Sequence, residues 1–367
     1  AVRNPPRGVR VEARGAARDL DALVEALQRE APAAARVRSV RVTALAPDEL
    51  PTRPGFVIAP SEADGNAALA IPPDLATCDD CARELDDPRS RRFGYAFTTC
   101  ASCGPRLSVA RSLPYDRERT TMASFTPCAA CLGEYGDPDD RRFHAQTVAC
   151  AACGPRVWLT DADGAALGAD DPVAEAAAML RAGKVLAVQG LGAFHLVCDA
   201  TDGRVVAELR RRKRRDAQPF AVMVADVAAA DALARLDDAA RDALRSPARP
   251  IVLAPAREGA LPPEVKGPSR RTGLLLPYTP LHHLLVARAG RALVVTSGNA
   301  SGCPAAIAHD EARAAPRAST RTPRGVLRTA PSSPRLRATR QTQGRRPTPW
   351  TVPSSSTRRA TGAAAGP

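Results

Sequence analysis

The sequence predicts a multidomain protein of mixed α+β and α/β class, with a duplicated cysteine module between two folded parts and a basic tail behind them. Eight cysteines fall in four C-x-x-C pairs: Cys78/Cys81, Cys100/Cys103, Cys128/Cys131 and Cys150/Cys153. From Asp171, apolar runs of strand length alternate with helical spacing, the pattern of one sheet covered by helices. From Glu311 onward, large apolar residues nearly vanish.

The 367 residues leave room for two or three domains. Residues 1–48 carry two alternating runs, Val9 to Gly15 and Ala35 to Leu45, that suit half-buried strands. Between them Leu20, Leu23, Val24 and Leu27 recur at helical spacing. Residues 49–76, with Pro51, Pro54, Pro60, Pro72 and Pro73, read as a linker.

Residues 77–157 hold the cysteines. Each half reads C-x2-C-x18-C-x2-C, the second lies fifty residues after the first, and both contain RRF and CGPR, so the module is an internal duplication. Two residues between cysteines let one turn of backbone aim both sulfurs at one ion, and two such knuckles complete the four-sulfur shell of structural zinc. Disulfides are disfavoured, because a C-x-x-C bridge closes a strained loop and no signal peptide opens the chain. Four thiolates leave no open position for water, so catalytic zinc is disfavoured too. His144 reads as a surface or packing histidine, and Cys198 and Cys303 as free thiols.

Residues 158–310 carry the α/β pattern. The spacing predicts a helix over Val173 to Leu180, then a buried strand in VLAVQGLGAFHLVCDA ending in a glycine-rich turn. A helix with a basic last turn (Arg210 to Arg215) follows, then a strand at Phe220 to Val224, two helices through Leu244, and strands at Pro250 to Pro255 and Ala292 to Asn299. The basic turn holds Lys213, one of three lysines in the chain. As a solvated helix end it complements the macrodipole, worth about 0.3–1 kcal/mol. Beside the Thr296-Ser297-Gly298-Asn299 turn, whose hydroxyl, amide and backbone groups suit an anion, it becomes a candidate phosphate clamp.

The net charge of +13 resides mostly in the tail. Residues 311–367 hold twelve arginines and one acid, Glu311, while the other 310 residues hold 40 basic and 38 acidic groups. Such a tail cannot bury a core and is expected to be disordered. A zinc-ribbon nucleic-acid binder is therefore a rival reading; its affinity would fall steeply with salt and vanish when residues 311–367 are removed. No stretch reaches the ~20 apolar residues of a membrane span, and a reducing, cytoplasmic setting is expected.

LPYDRERTTMASFTPC, EYGDPDDRRFHAQTVACAACGPR, VLAVQGLGAFHLVCDA, RRKRRDAQPFAVM, LLLPYTPLHHLL and VVTSGNASGCPAA resemble, in order, the hydrogenase maturation carbamoyltransferases of the HypF type. The resemblance implies a partial ferredoxin-like acylphosphatase domain (1–48), two zinc fingers (77–157), a YrdC-like nucleotide domain (158–310) and a disordered tail (311–367). It implies carbamoyl phosphate and ATP as substrates, with magnesium, two structural zincs, carbamoyl adenylate as product, and the C-terminal cysteine of HypE as acceptor in making the cyanide ligand of nickel–iron hydrogenase. Lys213, Arg215, Thr296, Ser297 and Asn299 would bind nucleotide, Gly192, Phe194 and His195 would line the carbamoyl pocket, and Asn4, in an N-x-x-x-G turn with Gly8, would help hold an attacking water. Relatives of the nucleotide domain also imply weak double-stranded RNA affinity. Gln189, Ala193 and Gln218 depart from the family pattern of lysine, glycine and lysine, which weakens the clamp. The loss of resemblance near Glu311 suggests a reading-frame change, and the chain is expected to be truncated at both ends and incomplete for the full reaction. A threonylcarbamoyl-adenylate synthase is the other enzyme reading, weakened by the cysteine block that family lacks.

Overall fold

The computed structural model describes residues 1–3, 8–31, 35, 37–46, 55–59, 73–215 and 217–299 with their side chains, and the backbone of 325–330. Near the start, β1 (Val2–Arg3) pairs antiparallel with β2 (Arg10–Val11), and α1 (Ala17–Arg29) follows with no buried residue. The strand expected over Ala35 to Leu45 does not form in the described residues. A strand needs a hydrogen-bonded neighbour, and here Val37 and Val42 stay exposed. Part of the expected linker is engaged: Ile58 bridges Val2 and Phe56 lies 6.0 Å from Phe143.

In the two cysteine repeats, α2 (Asp79–Asp86) starts directly after Cys78 and α3 (Ala129–Gly136) directly after Cys128. The duplication reaches the backbone, since Gly94 and His144, fifty residues apart, both take positive φ, 64° and 50°. Their amides bond the carbonyls of Leu85 and Tyr135 in turn. The repeats exchange arginines. Arg92 is buried, donates to the Ala149 carbonyl at 3.0 Å and pairs with Glu134 at 2.5 Å; Arg142 is buried, donates to the Thr99 carbonyl at 3.0 Å and pairs with Glu84. The segment between the repeats is pinned by Arg117, which donates to the carbonyls of Gln146, Val148 and Phe125.

Beyond the repeats the described residues form one eight-stranded sheet in the order β3 (Arg156–Thr160), β10 (Gly325–Ala330), β4 (Leu186–Gln189), β5 (Phe194–Asp199), β9 (Leu293–Ser297), β6 (Ala221–Met223), β8 (Arg271–Leu275), β7 (Val252–Pro255). The single strand expected at Val185 to Ala200 is a hairpin, because Gly190 and Gly192 let the chain reverse between β4 and β5. Strand β10 corrects the expectation of disorder through the whole tail. It pairs with β3 on one side and β4 on the other, so ladder hydrogen bonds from two neighbours replace a core of its own.

Strand side chains alternate between two cores. Leu186, Val188, Val197, Met223, Leu293 and Val295 meet α4 (Pro172–Arg181) and α9 (Pro280–Ala289). Ala187, Phe194, Leu196, Cys198, Val222 and Val294 meet α5 (Gly203–Lys213), α6 (Val227–Leu233), α7 (Asp238–Arg245) and α8 (Pro263–Lys266). Helix starts follow the sequence: side chains of Asp171, Asp202, Asp226, Asp237 and Thr279 accept first-turn amides. The first repeat docks on this domain. Leu85 enters the α4/α9 core, and the amides of Ala76 and Thr77 bond the carbonyls of Pro247 and Tyr278.

Arg92→Ala would take from Glu134 its buried partner and leave it the more exposed Arg91, so we expect a loss of about 1.5–3 kcal/mol in denaturant unfolding of the repeats. A loss under about 1 kcal/mol would show that the exchange contributes little.

Candidate nucleotide pocket and metal centres

Each cysteine repeat gathers its four sulfurs. The Sγ···Sγ separations are 3.7 Å (Cys78–Cys100), 3.5 Å (Cys81–Cys103) and 3.7 Å (Cys100–Cys103) in the first, and 3.8 Å (Cys128–Cys150), 3.6 Å (Cys131–Cys153) and 3.8 Å (Cys150–Cys153) in the second. A tetrahedron with metal–sulfur bonds of about 2.3 Å has edges of about 3.8 Å, whereas a disulfide would need about 2.05 Å. Both clusters therefore fit a zinc-sized tetrahedral ion. All four sulfurs of each set lie within 4.8 Å of one another. His144 is not among them; its ring lies tilted over Tyr135 at 4.8 Å and edge-on to Phe143 at 4.6 Å.

The second constellation sits where the β4–β5 hairpin, the end of β9 and the last turn of α5 meet. Lys213 is buried and turns inward, donating to the carbonyl of Ser297 at 2.5 Å, the carbonyl of Asn299 at 3.0 Å and Asn299 Oδ1 at 3.2 Å. Ser297 Oγ bonds Asn299 Oδ1 at 2.5 Å. Among the described residues, the acceptors of Lys213 are neutral oxygens, so its charge is held by dipoles. Burial, and then the nearby Arg215 charge, push its pKa down to about 8. The glycine of this turn is required by a close approach: a Cβ on Gly298 would lie 2.9 Å from the Phe194 carbonyl oxygen, which accepts the Gly298 amide at 2.7 Å.

Antiparallel register sets His195 opposite Ser297 and Leu196 opposite Thr296. His195 and Ser297 therefore share the α9 face, while Thr296 is buried on the α5 face. Against His195 stand two residues that sequence reading missed or left as packing. Tyr278 Oη lies 3.4 Å from His195 Nε2, and the His282 ring lies 4.4 Å from that of Tyr278. Thr279 Oγ1 meets His282 Nδ1 at 2.8 Å. Burial pushes His195 down from the usual histidine range and His282 down to about 3, so both imidazoles are neutral. His195 Nδ1 and His282 Nε2 are buried and have no hydrogen-bond partner among the described residues. Gly190 lies over both rings; a Cβ there would come within 2.7 Å of His195 Nδ1. The end of β9 thus offers two settings: Lys213 with the hydroxyl-and-amide turn, suited to an anion, and on the α9 face two buried neutral nitrogens with no partner among the described residues, suited to a small amide-like group.

Other expected residues are placed differently. Arg215 donates to the carbonyls of Gln218 and Pro219 and lies over the Phe220 ring at 5.3 Å, beside Arg210 at 4.8 Å. The basic cluster is not a uniformly solvated helix end, since Arg211 and Arg212 pair with Glu208. Phe194 is a core residue on the α5 face. Gly192, at φ 75°, brings the hairpin turn to Ser108 of the first repeat. Asn4 and Cys303 lie outside the described residues.

Comparison with known proteins matches the HypF finger family over residues 77–110 and 128–160, and the Sua5–YciO–YrdC family, described as "Telomere recombination", over 178–322. The carbamoyltransferase HypF of Rhodobacter capsulatus is 49% identical over 312 residues, 85% of this chain and 41% of that protein. The HypF of Rhizobium leguminosarum bv. viciae is 46% identical over 318 residues, 85% of this chain and 40% of that protein. A crystal structure of full-length HypF in a phosphate- and nucleotide-bound form superposes with TM-score 0.82 at 36% identity, covering 89% of this chain and 42% of that one. The structure of HypF from T. kodakarensis gives 0.77 at 33% identity, again over 89% and 42%. The chain thus spans about two fifths of the length of the relatives it matches.

Metal analysis of the purified chain is expected to give two zinc ions per molecule. Metal-free protein with oxidised thiols would remove the four-sulfur reading.

Proposed function

Because the chain belongs to the HypF carbamoyltransferase family, we propose that its sheet domain forms carbamoyl adenylate from ATP and a carbamate unit supplied by carbamoyl phosphate. The two cysteine centres hold structural zinc. In this reading the carbamate oxygen attacks the α-phosphorus of ATP, the bond to the β-phosphate oxygen breaks, and pyrophosphate leaves. Two anions must approach, so the site has to offset their repulsion with fixed positive charge and dipoles. Lys213 is the observation that carries the proposal: a buried ammonium held by neutral oxygens at the mouth of the Ser297–Asn299 turn. A bound phosphate can take over those hydrogen bonds at little reorganisation cost. Thr296, Ser297 and Asn299 shape the turn, and Arg215 adds charge from behind. Magnesium would accompany the triphosphate and neutralise part of its charge.

The unpaired nitrogens of His195 and His282 suit the carbamoyl end, where a neutral imidazole can hydrogen-bond the amide without competing for the phosphate. The full family reaction hands the carbamoyl group to the C-terminal cysteine of HypE. For this chain we propose the adenylating step, with HypE as the downstream acceptor and a cytoplasmic setting. The water-holding role of Asn4 stays part of the proposal.

Lys213→Ala combined with Asn299→Ala should weaken ATP binding at least about tenfold, since charge-assisted hydrogen bonds to phosphate are worth about 1.5–3 kcal/mol each. Calorimetric affinities equal to the parent chain would defeat the assignment. Anion binding favours the charged lysine, so affinity should hold below pH 8 and fall as pH rises through about 8, the pKa of Lys213. A flat profile from pH 7 to pH 9.5, on the order of this range, would show that Lys213 does not meet the phosphate.

A further inference from the structure

The arginine before each buried one in the RRF motifs does something the motif alone does not indicate. Arg91, in the first repeat, donates from its terminal nitrogen to Cys131 Sγ of the second repeat at 2.7 Å and from Nε to Glu134 at 3.1 Å. Arg141, fifty residues on, donates to Cys81 Sγ of the first repeat at 3.1 Å and pairs with Glu84 at 2.6 Å. The two contacts are related by the duplication. In each, the sulfur belongs to the fully buried second cysteine of the opposite repeat. Neither arginine is drawn to a sulfur of its own repeat among the contacts in the structure.

We propose that Arg91 and Arg141 are outer-shell partners of the metal centres, each serving the centre in the other repeat, so that the two zinc ions are held as a coupled pair. The inference rests on the reading of both clusters as zinc sites. An ion with two positive charges inside four thiolates leaves the centre with a net charge of about −2 in poorly solvated surroundings. A guanidinium hydrogen-bonded to one thiolate offsets part of that charge and fixes the direction of its lone pairs, as outer-shell groups do at other metal sites. Here the offsetting charge comes from the other repeat, and these knuckles depend on metal for their folding. When one ion leaves, its repeat loosens and withdraws the arginine that braced the remaining ion. Linkage makes the effect reciprocal: whatever factor the first ion adds to the affinity of the second, the second adds to the first. Glu84 and Glu134 position the arginines, and the buried pairs Arg92–Glu134 and Arg142–Glu84 hold the two repeats in register.

The test follows zinc release from the zinc-loaded chain into a chromophoric chelator, alongside the absorption spectrum of the cobalt-substituted protein. The parent chain is expected to release two ions in one concerted phase. Arg91→Ala should open the Cys128–Cys153 centre about 10–100-fold sooner, and because that withdraws Arg141 from the first centre the other ion should follow, so both leave faster than from the parent chain. Arg141→Ala should do the same beginning at the Cys78–Cys103 centre, and each should shift the thiolate-to-cobalt band of the opposite centre. Arg91→Lys keeps the charge but not the fork, and should give the same acceleration with a smaller factor, which guards against failure of the alanine variant to fold. Arg89→Ala, at an exposed arginine of the same module, should change nothing. One-phase release at the parent rate, with unshifted cobalt bands, would overturn the proposal. A parent chain that binds no zinc would instead overturn the reading of the clusters on which it rests.

Discussion

The structure depends on an exchange of guanidinium groups between two copies of one small motif. Around its own metal site each cysteine repeat buries little beyond cysteines and a few small side chains, and the two share a small apolar cluster of Tyr95, Met122 and Ala149. Arg92 and Arg142 bring charge into that interior, which is tolerable only because a carboxylate and a backbone carbonyl from the other repeat meet each of them. The repeats therefore fold as one body; the first packs on the sheet domain through α2, and the second runs directly into β3. Through Leu85, Ala76 and Thr77 the first repeat fixes α9 and the backbone of Tyr278, so order in the cysteine module extends to the wall of the candidate site.

That site works with charge left partly uncompensated. Most arginines in the described part are matched with an acid or tied to carbonyls, whereas Lys213 rests on neutral oxygens. Holding a buried ammonium this way costs stability, and the cost appears as its lowered pKa. Stability is given up where a ligand of opposite charge would restore it, the usual arrangement at a site built for an anion. The neutral histidines sit on the α9 face of the same strands, where they offer hydrogen bonds rather than charge.

Much of this was legible in the sequence, for physical reasons that can be named. The cysteine spacing has few structural solutions, so both four-sulfur clusters could be read directly, and Lys213 with the TSGN turn stood out by residue type. The helices were placed by their apolar spacing, and Asp or Thr caps stand at five of their starts. The arginine exchange was not legible, because RRF recurs in both repeats and nothing local says that its partner lies in the other copy. Tyr278 and His282 were hidden for a related reason: their role comes from a strand-to-helix turn packing on a hairpin 83 residues away in sequence. The β4–β5 hairpin read as one strand because both arms are apolar and only the short Gly190-Leu191-Gly192-Ala193 turn separates them. Strand β10 was missed because composition reports what a segment can bury alone, while its ladder bonds are supplied by β3 and β4.

The position of β10 also bears on the order of assembly. It lies between β3, which leaves the second cysteine repeat, and β4, which opens the hairpin of the pocket, yet it comes after β9 in the chain. As the polypeptide emerges during synthesis, β4, β5, β9, β6, β8 and β7 can pair before β10 appears, while β3 must wait for it. Until then the edge of β4 presents open hydrogen-bonding groups to any passing strand, a hazard that grows with the delay. Pairing with β10, and beyond it β3, is what closes that edge.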